Sequence, residues 1–228
     1  MKKVLLYSGG MDSWLISKIW KPDVKLYVDM KTRYSQQEIR RLPNDVIITD
    51  LDLSKWERED AIIPLRNLYL IAIATYYGDE ICLGATMGDR VLDKSPHFAW
   101  MYEKLLTFLY QKQHWTEERK IEVNLSFKQY SKTQLLTKYL EEGGDIQEAF
   151  YSSFSCYNPI EGKECWSCKP CFRKFIAFAL NGFQFPEDIK AKALIYIQTE
   201  ILPQIEKGNY GRKGEEEEIL KVLELYKR

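Results

Sequence analysis

The sequence has neither an excess of one charge nor a long apolar run. Its 33 basic residues balance 33 acidic ones, which gives a formal net charge of zero. A chain without an overall positive field does not attract nucleic acid non-specifically, although a local basic patch stays open. No stretch approaches the roughly 20 apolar residues of a membrane-spanning helix, and the apolar run at Val4–Tyr7 is too short for a signal peptide. We therefore expect a soluble, cytoplasmic protein that binds no membrane and contacts no nucleic acid directly.

Internal repeats and low-complexity tracts are also absent from the sequence. With 228 residues and 45% hydrophobic content, the chain can bury one good core, and a second independent domain is not expected. We expect residues 1–150 to form an α/β core and residues 151–228 to form a cysteine-bearing, helical extension. The two regions are predicted to pack as one domain.

Cysteine is scarce, but four of the five cysteines are clustered at Cys156, Cys165, Cys168 and Cys171. Thiolates at two-residue intervals on a tight turn can converge on one tetrahedral zinc ion, and a fourth from just upstream completes the coordination. Four sulfurs alone leave an iron–sulfur cluster open. An odd number of thiols in a reducing compartment favours metal over disulfides. We predict a closed, structural zinc site, with the fifth residue, Cys82, as a small buried hydrophobe.

Short β-rich runs alternate with helical patterns in the first half, which predicts βαβ units and a parallel sheet. The five predicted strands are Lys3–Tyr7, Lys25–Asp29, Val46–Asp50, Glu80–Gly84 and Lys120–Asn124. The predicted helices before the cysteines are 12–20, 36–41, 64–77, 96–112 and 132–142. After the cysteines, helices are predicted at 172–180, 186–202 and 215–226. The acidic run Glu215–Glu218 is interpreted as a solvated first turn of the last helix.

The first predicted strand ends in Tyr7-Ser8-Gly9-Gly10-Met11-Asp12-Ser13 and passes into a helix. Such a turn can bind an anion, because glycines let backbone N–H groups approach phosphate oxygens and the helix adds its positive end. Hydroxyls of Ser8 and Ser13 can donate hydrogen bonds, and Asp12 can hold a divalent cation. No Gly-Lys-[Ser/Thr] of the Walker type follows, so transfer of a terminal phosphoryl group is not indicated.

This heptapeptide resembles the PP-loop of the adenine nucleotide α-hydrolase superfamily, whose members split ATP between its α and β phosphates. The resemblance implies a Rossmann-like (HUP) parallel five-stranded sheet flanked by helices, with ATP and Mg2+ as ligands. It also implies catalytic roles for Asp12 and Ser13. The implied nucleotide-binding residues are Tyr7, Ser8, Gly9, Gly10, Met11, Asp12 and Ser13. The motif alone does not choose among amide synthetases, tRNA thiolation enzymes and tRNA-lysidine synthetase.

The cysteine pattern is similar to the zinc signature that closes the 7-cyano-7-deazaguanine synthases, the QueC family. Further similarity lies at Asp29–Glu38, Ile63–Asn67, Ile81–Gly84 and Phe178–Phe183. Membership implies an ATP-dependent ligase that converts 7-carboxy-7-deazaguanine and ammonia into 7-cyano-7-deazaguanine through acyl-adenylate and amide intermediates, and a homodimer.

The same resemblance assigns roles to residues in the middle of the chain. Asp29, Arg33 and Asn67 are implied to bind the nucleotide, and Arg66 and Asp93 to act in catalysis. Arg66 would be a second clamp on phosphate or carboxylate oxygens, since its fork matches them. The plainer alternative, in which Arg66 and Asn67 only begin a helix, stays open.

The chain departs from the family pattern at several positions. Met30-Lys31-Thr32-Arg33-Tyr34 stands where the family has Tyr-Gly-Gln-Arg-His, and Leu65 and Trp166 replace two further glycines. The family's substrate loop is shortened here to Asp93–Phe98. Two alternatives therefore stay open. One is a PP-loop sulfurtransferase or tRNA-modifying enzyme. The other is a degenerate family member that binds nucleotide or a protein partner without this catalysis, or attaches a deazapurine to another acceptor.

Overall fold

The structure, a computed structural model, describes residues 1–227. The described residues divide into two compact units that are interleaved along the sequence. The first unit comprises Met1–Gly9, Ile16–Ala85 and Asp89–Lys128. The second comprises Gly10–Leu15, Thr86–Gly88 and the chain from Gln129 onward. Whether the regions 1–150 and 151–228 pack as one domain stays a prediction.

The first unit contains a five-stranded parallel sheet with the strand order β3-β2-β1-β4-β5. The strands are β1 (Lys3–Leu6), β2 (Val24–Asp29), β3 (Val46–Asp50), β4 (Glu80–Cys82) and β5 (Glu122–Asn124). Strand order reverses direction at β1, which places a topological switch point next to the loop that follows it. The predicted α/β class with a five-stranded parallel sheet is confirmed.

Four helices accompany the sheet strands along the chain. They are α1 (Met11–Trp20), α2 (Ser35–Ile39), α3 (Arg66–Ala74) and α4 (Pro96–Leu109). Helix α3 packs on β1 and β2, and α4 packs on β5. Apolar residues of these helices, among them Ile71 and Leu106, join the inward residues of the strands in one buried cluster. Burial of the apolar side chains of helices and strands against one another is the main contribution to the stability of this cluster.

Six further helices, α5 to α10, belong to the second unit. They are α5 (Lys132–Glu141), α6 (Ile146–Ser152), α7 (Lys169–Leu180), α8 (Glu187–Tyr196), α9 (Leu202–Glu206) and α10 (Lys213–Leu225). Helix α7 is central: α5, α8 and α10 all contact it, and eight of its residues are buried. Around it, the rings of Phe150, Trp166, Phe178, Phe183 and Phe185 pack face to face or edge to face. The described part of the chain contains no helix with the length and apolarity needed to cross a membrane.

Several predicted element boundaries differ from the structure for identifiable reasons. The helix predicted from Pro64 begins only at Arg66, because Leu65 has left-handed backbone angles (φ 60°) that a helix cannot contain. Helix α6 was not predicted, although Asp145 caps it by accepting a hydrogen bond from the Gln147 N–H at 2.8 Å. The helix predicted over 186–202 instead passes through a π-turn, Ile197–Ile201, just before Pro203, which lacks an N–H for the regular pattern.

Candidate functional site

The four clustered cysteines converge in the second unit. Their Sγ atoms all lie within 4.8 Å of one another, and the Sγ atoms of Cys165 and Cys171 are 4.0 Å apart. A zinc–sulfur bond of 2.3 Å in a tetrahedron requires sulfurs about 3.8 Å apart, so this spacing fits the ion. All four are free thiols, with Cys165 and Cys171 buried. The donor set therefore fits zinc without rearrangement of the fold.

Backbone geometry around these thiols orients them towards a common centre. Trp166 takes left-handed angles (φ 58°), which turns the chain sharply between Cys165 and Cys168. The Cys156 Sγ accepts hydrogen bonds from the N–H groups of Asn158 and Cys165 at 3.3 and 3.4 Å. Cys168 is the N-cap of α7, so the positive end of that helix favours thiolates. Sulfur contacts with Cys156 and Cys171 lower the pKa of Cys168.

A buried ion pair, which sequence reasoning missed, braces the cysteine segment. Lys174 is 1% exposed, and its ammonium donates to the Phe150 and Ser153 carbonyls and to Glu164 Oε2 at 2.9, 2.6 and 2.8 Å. Glu164 in turn accepts the Ser155 N–H at 2.6 Å. Burial lowers the pKa of Lys174, and the carboxylate of Glu164 opposes that shift. The pair ties the start of the cysteine segment to α7.

The glycine-containing loop joins β1 to α1. Gly9 has φ 73°, a conformation that glycine adopts without strain, and a Cβ there would come 3.6 Å from the Leu42 side chain. The Ser13 hydroxyl donates to the Gly10 carbonyl at 3.1 Å. Tyr7 and Met11 are buried to 3% and 2% exposure, and burial followed by the charge of Asp45 raises the pKa of Tyr7 to about 12. Those two buried side chains therefore anchor the loop at its two ends.

Asp12 forms the most informative contact of the loop. One of its carboxylate oxygens, Oδ2, is paired with the ammonium of Lys132, the first residue of α5. Its other oxygen, Oδ1, is buried and has no hydrogen-bond partner. Buried oxygens in native proteins are nearly always paired, so this atom indicates a missing cation or donor. Lys132 was not among the predicted site residues, because 120 positions separate it from Asp12 in the sequence.

Two aspartates lie at the carboxyl ends of adjacent strands. Asp29 ends β2 and is 2% exposed, Asp50 ends β3, and the two are register partners. The Lys31 ammonium bridges them at 2.6 and 3.0 Å, and the backbone N–H of Lys31 also donates to Asp29 Oδ1. Burial alone would raise the pKa of Asp29, but these hydrogen bonds from Lys31 outweigh burial and lower it. We call Asp29, Lys31 and Asp50 the carboxyl-edge cluster.

The remaining predicted site residues of the first unit already have partners. The Arg33 guanidinium donates to Glu57 Oε1 at 2.8 Å and to the Arg58 carbonyl at 2.8 Å. Asp93 Oδ2 accepts the backbone N–H of Asn67 at 3.1 Å, so Asp93 satisfies the first turn of α3. The positive charge of Arg66 acts on Glu38, whose pKa is raised by burial despite its hydrogen bond from Tyr27. The structure brings Asp93 to Asn67, and their ligand-binding roles stay predictions.

Three positions where the family pattern has glycine share one backbone conformation. Lys31, Leu65 and Trp166 have φ of 57°, 60° and 58°. L-residues rarely adopt these angles, which glycine tolerates freely. At each of these positions the chain therefore has a backbone conformation that glycine would adopt without strain.

Comparison with known proteins agrees with the cysteine geometry. The family described as "Queuosine biosynthesis protein QueC" matches residues 41–182, a range that contains all four clustered cysteines. The chain belongs to the QueC family. This QueC-family chain is 23% identical over 223 residues to 7-cyano-7-deazaguanine synthase 1 of Colwellia psychrerythraea, covering 81% of the chain and 97% of that protein. It is 24% identical over 221 residues to 7-cyano-7-deazaguanine synthase of Marinobacter nauticus, covering 80% and 95%. The expected family membership is confirmed.

Proposed function

We propose that this QueC-family chain is an ATP-dependent C–N ligase that converts 7-carboxy-7-deazaguanine and ammonia into 7-cyano-7-deazaguanine for queuosine biosynthesis. The observation that carries the proposal is the family match over residues 41–182, which includes a four-cysteine centre of zinc-compatible spacing. The names of the relatives, which align over nearly their whole length, support the same reaction.

The proposed reaction uses two nucleotides for one functional group. The substrate carboxylate attacks the α-phosphorus of ATP, which releases pyrophosphate and forms an acyl adenylate. Ammonia then displaces AMP and leaves the amide. A second ATP activates the amide oxygen in the same way, and departure of AMP with loss of protons forms the nitrile. AMP leaves far more readily than an unactivated carboxylate oxygen, so activation lowers both barriers.

The loop after β1 is the proposed site for ATP with Mg2+. Its left-handed Gly9, the adjoining N-terminus of α1 and the hydroxyls of Ser8 and Ser13 would hold phosphate oxygens. The buried, unpartnered Oδ1 of Asp12 is the atom that a magnesium ion would satisfy, since Mg2+ prefers carboxylate and phosphate oxygens. Asp29, Arg33 and Asn67 are proposed to contact the rest of the nucleotide.

Zinc is the proposed ion at Cys156, Cys165, Cys168 and Cys171. Four sulfurs close the coordination sphere, so the ion would stabilise the fold and take no part in the reaction.

The proposed position of the substrate is near Arg66 and Asp93. In that role the Arg66 fork would bind a carboxylate or phosphate, and Asp93 would position the first turn of α3 through its bond to Asn67.

The main alternative is a PP-loop enzyme that transfers sulfur or modifies tRNA, and burial of Cys82 speaks against it. Sulfur transfer needs a reactive cysteine near the nucleotide, and Cys82 is the one cysteine outside the cluster. It is 1% exposed, and burial raises its pKa to about 12. A thiol with that pKa is a poor nucleophile at neutral pH. The shortened loop Asp93–Phe98 still allows a different acceptor for adenylate.

One experiment separates these possibilities. Purified protein is incubated with ATP, Mg2+, 15N-ammonium and 7-carboxy-7-deazaguanine, and the products are measured by mass spectrometry. We expect a 15N-labelled nitrile with two AMP and two pyrophosphate molecules for each nitrile. Cys82→Ala should keep this activity, whereas Asp12→Asn should lose most of it. AMP without either the amide or the nitrile would indicate a different acceptor, and release of orthophosphate would contradict the proposal.

We also propose that the protein works in the cytoplasm as a homodimer through the outer face of α4. Five apolar side chains on this helix are at least 49% exposed, and its only charged residues are Glu103 and Lys104. An exposed apolar face of this size marks a surface that packs against another protein, and this face carries little like charge to oppose its own copy. The exposed side chains are Trp100, Met101, Leu105, Phe108 and Leu109.

Light scattering after size-exclusion chromatography tests the dimer. Leu105→Glu should yield a monomer of about half the mass. Tyr76→Glu, at an exposed aromatic residue outside this face, should leave the dimer intact. A wild-type monomer at micromolar concentration would contradict the proposal.

A further inference from the structure

The C-terminal segment, residues 183–228, lies outside the family match, which ends at residue 182. The Colwellia relative aligns over 97% of its own length but covers only 81% of this chain, so part of the chain has no counterpart in that protein. The described residues of the C-terminal segment are nevertheless well packed, since Ile197 and Ile219 are both 0% exposed. The segment is therefore an integral part of the second unit.

Contacts of the C-terminal segment correct an expectation about its acidic run. The sequence alone predicts a solvated surface at Glu215–Glu218, but two of these carboxylates accept hydrogen bonds from other elements. Glu218 accepts from two hydroxyls at the start of α5, at 2.6 and 2.7 Å. Glu215 accepts from the Arg173 guanidinium of α7 and, at 2.9 Å, from the Tyr210 hydroxyl. The start of α10 is therefore fixed against both α5 and α7.

Arg212 directly precedes α10 and reaches the loop that follows β4. Its Nη1 atom lies 2.9 Å from the position that a Cβ atom would take at Gly88. The same loop is joined to the chain before α5, since the Met87 N–H donates to the Tyr130 carbonyl at 2.9 Å. All four residues belong to the second unit. The C-terminal segment thus places a guanidinium directly on Thr86–Gly88.

The Arg212 guanidinium has hydrogen-bonding capacity left for a ligand. Its side chain is 28% exposed, and within the described residues its one hydrogen-bond partner is Glu215 Oε2, at 3.4 Å. A guanidinium carries five N–H donors in a planar fork, so most of these donors stay open. Glu215, which is itself held by Arg173 and Tyr210, keeps the guanidinium in place.

The loop after β4 lies at the edge where parallel sheets bind ligands. Such sheets bind them beyond the carboxyl ends of the strands, where the strand order reverses, and β4 is the neighbour of β1. The loop after β1 is the proposed nucleotide site, so the loop after β4 is next to it in strand order. Of the proposed reactants, 7-carboxy-7-deazaguanine carries a carboxylate, which a guanidinium fork binds with two parallel hydrogen bonds.

We propose that Arg212, supplied by the C-terminal segment, binds the substrate carboxylate at Thr86–Gly88 and selects this acid over uncharged deazapurines, with Glu215 as its positioning residue. The proposal rests on the proposed function. A site built to hydrogen-bond one group of its substrate rejects analogues without that group, because its donors are then left without a partner. The selectivity would be a property of this chain, since Arg212 lies outside the family match.

Calorimetric binding of two ligands tests this role. The ligands are 7-carboxy-7-deazaguanine and 7-deazaguanine, which lacks the carboxylate. Arg212→Met should weaken binding of the acid by about 10- to 100-fold, the range for a hydrogen bond to a charged group, and should leave binding of 7-deazaguanine within about threefold. A purely structural defect would weaken the binding of both ligands alike. Arg212→Lys should recover part of the affinity for the acid, since it keeps the charge but loses the fork.

Two glycine variants test the position of the guanidinium. Gly88→Ala adds a methyl group 2.9 Å from Arg212 Nη1, which must therefore move. Binding of the acid should weaken by a smaller factor than in Arg212→Met, and binding of 7-deazaguanine should stay unchanged. Gly214→Ala is the matched control, because no heavy atom lies within 4 Å of its Cβ position. Equal losses of acid affinity in the two glycine variants would contradict the proposed position.

Turnover measured on the same variants separates this proposal from the proposed function. Arg212→Met should raise the KM for the acid and leave the KM for ATP within about threefold. Nitrile formation by the wild type, together with equal acid affinities of the wild type and Arg212→Met, would overturn the role of Arg212 alone. If the wild type forms no nitrile, the proposed function fails, and the calorimetric comparison alone decides the role of Arg212. A wild type that does not bind the acid would overturn both.

Discussion

The cysteine centre and the carboxyl-edge cluster both gather groups that repel one another when ionised, but they obtain their counter-charge differently. Four thiols of the segment Cys156–Cys171 converge on a volume that fits a metal ion. Asp29 and Asp50 converge on Lys31, which the chain itself supplies. Each site also has a residue with left-handed backbone angles, Trp166 in one and Lys31 in the other. The first site should therefore depend on metal, and the second on pH.

Loss of one metal ligand should give the largest effect. Cys168→Ala is expected to lose zinc and to unfold the second unit, since structural zinc contributes about 10 kcal/mol or more to small folds of this kind. Zinc content measures the loss of the metal, and thermal melting measures the loss of stability. Cys82→Ala is the control and should keep full zinc content with a modest decrease in Tm. A folded, metal-free Cys168→Ala protein would show that the thiols only fill a core.

Removal of the buried cation beside the cysteine segment should rank second. Lys174→Met leaves the carboxylate of Glu164, 9% exposed, without its partner, and breaking a buried pair in this way costs about 3–5 kcal/mol. Urea unfolding measures the loss. The double variant Lys174→Met/Glu164→Gln should recover part of the stability, because no buried charge remains. Equal losses in the single and double variants would argue against an energetically coupled pair.

Replacing Lys31 should reveal the pH dependence of the carboxyl-edge cluster. Asp29 has a lowered pKa in the folded state, so its contribution to stability is present above its unfolded pKa and is lost as pH falls through the folded value. Lys31→Gly removes the cation that lowers this pKa and also relieves the left-handed strain. As the pH falls from 7 to 3, the variant should therefore become more stable relative to wild type. Urea titrations at each pH measure this difference. Lys31→Arg should follow the wild-type pH profile, and parallel profiles for all three proteins would contradict the assignment.

The smallest effect should be a gain at Leu65. This residue is 58% exposed at φ 60°, so Leu65→Gly removes strain and little packing, and about 0.5–1 kcal/mol of stabilisation is expected. Trp166→Gly has the same backbone angles but should destabilise by about 3–5 kcal/mol, because Trp166 is 5% exposed and stacks on Phe150 at 5.5 Å. Thermal melting of the two variants measures both effects. A change in Tm of the same sign in both variants would refute this prediction.

Much of the fold was predictable because its signals are local. Apolar runs identified all five strands, and Ser131 and the pair Gly143-Gly144 marked the two ends of α5, where the Gly144 N–H bonds back to the Tyr139 carbonyl at 3.0 Å. Boundaries failed where a residue takes angles unusual for its type, as Leu65 does. The charge pairs were not predictable at all: nothing in the pattern around Lys174 distinguishes it from a surface lysine.

The amino-acid sequence alone was enough to predict the cysteine motif, the glycine-containing turn and the alternation of strands and helices. Each of these features depends on spacings of a few residues along the backbone. The tertiary structure decided which charges meet. Lys132 reaches Asp12, Glu218 holds the residues beside Lys132, and Asp93 caps α3 through Asn67. Such partners lie far apart in sequence, and their pairing depends on how buried surfaces pack, which no local pattern encodes.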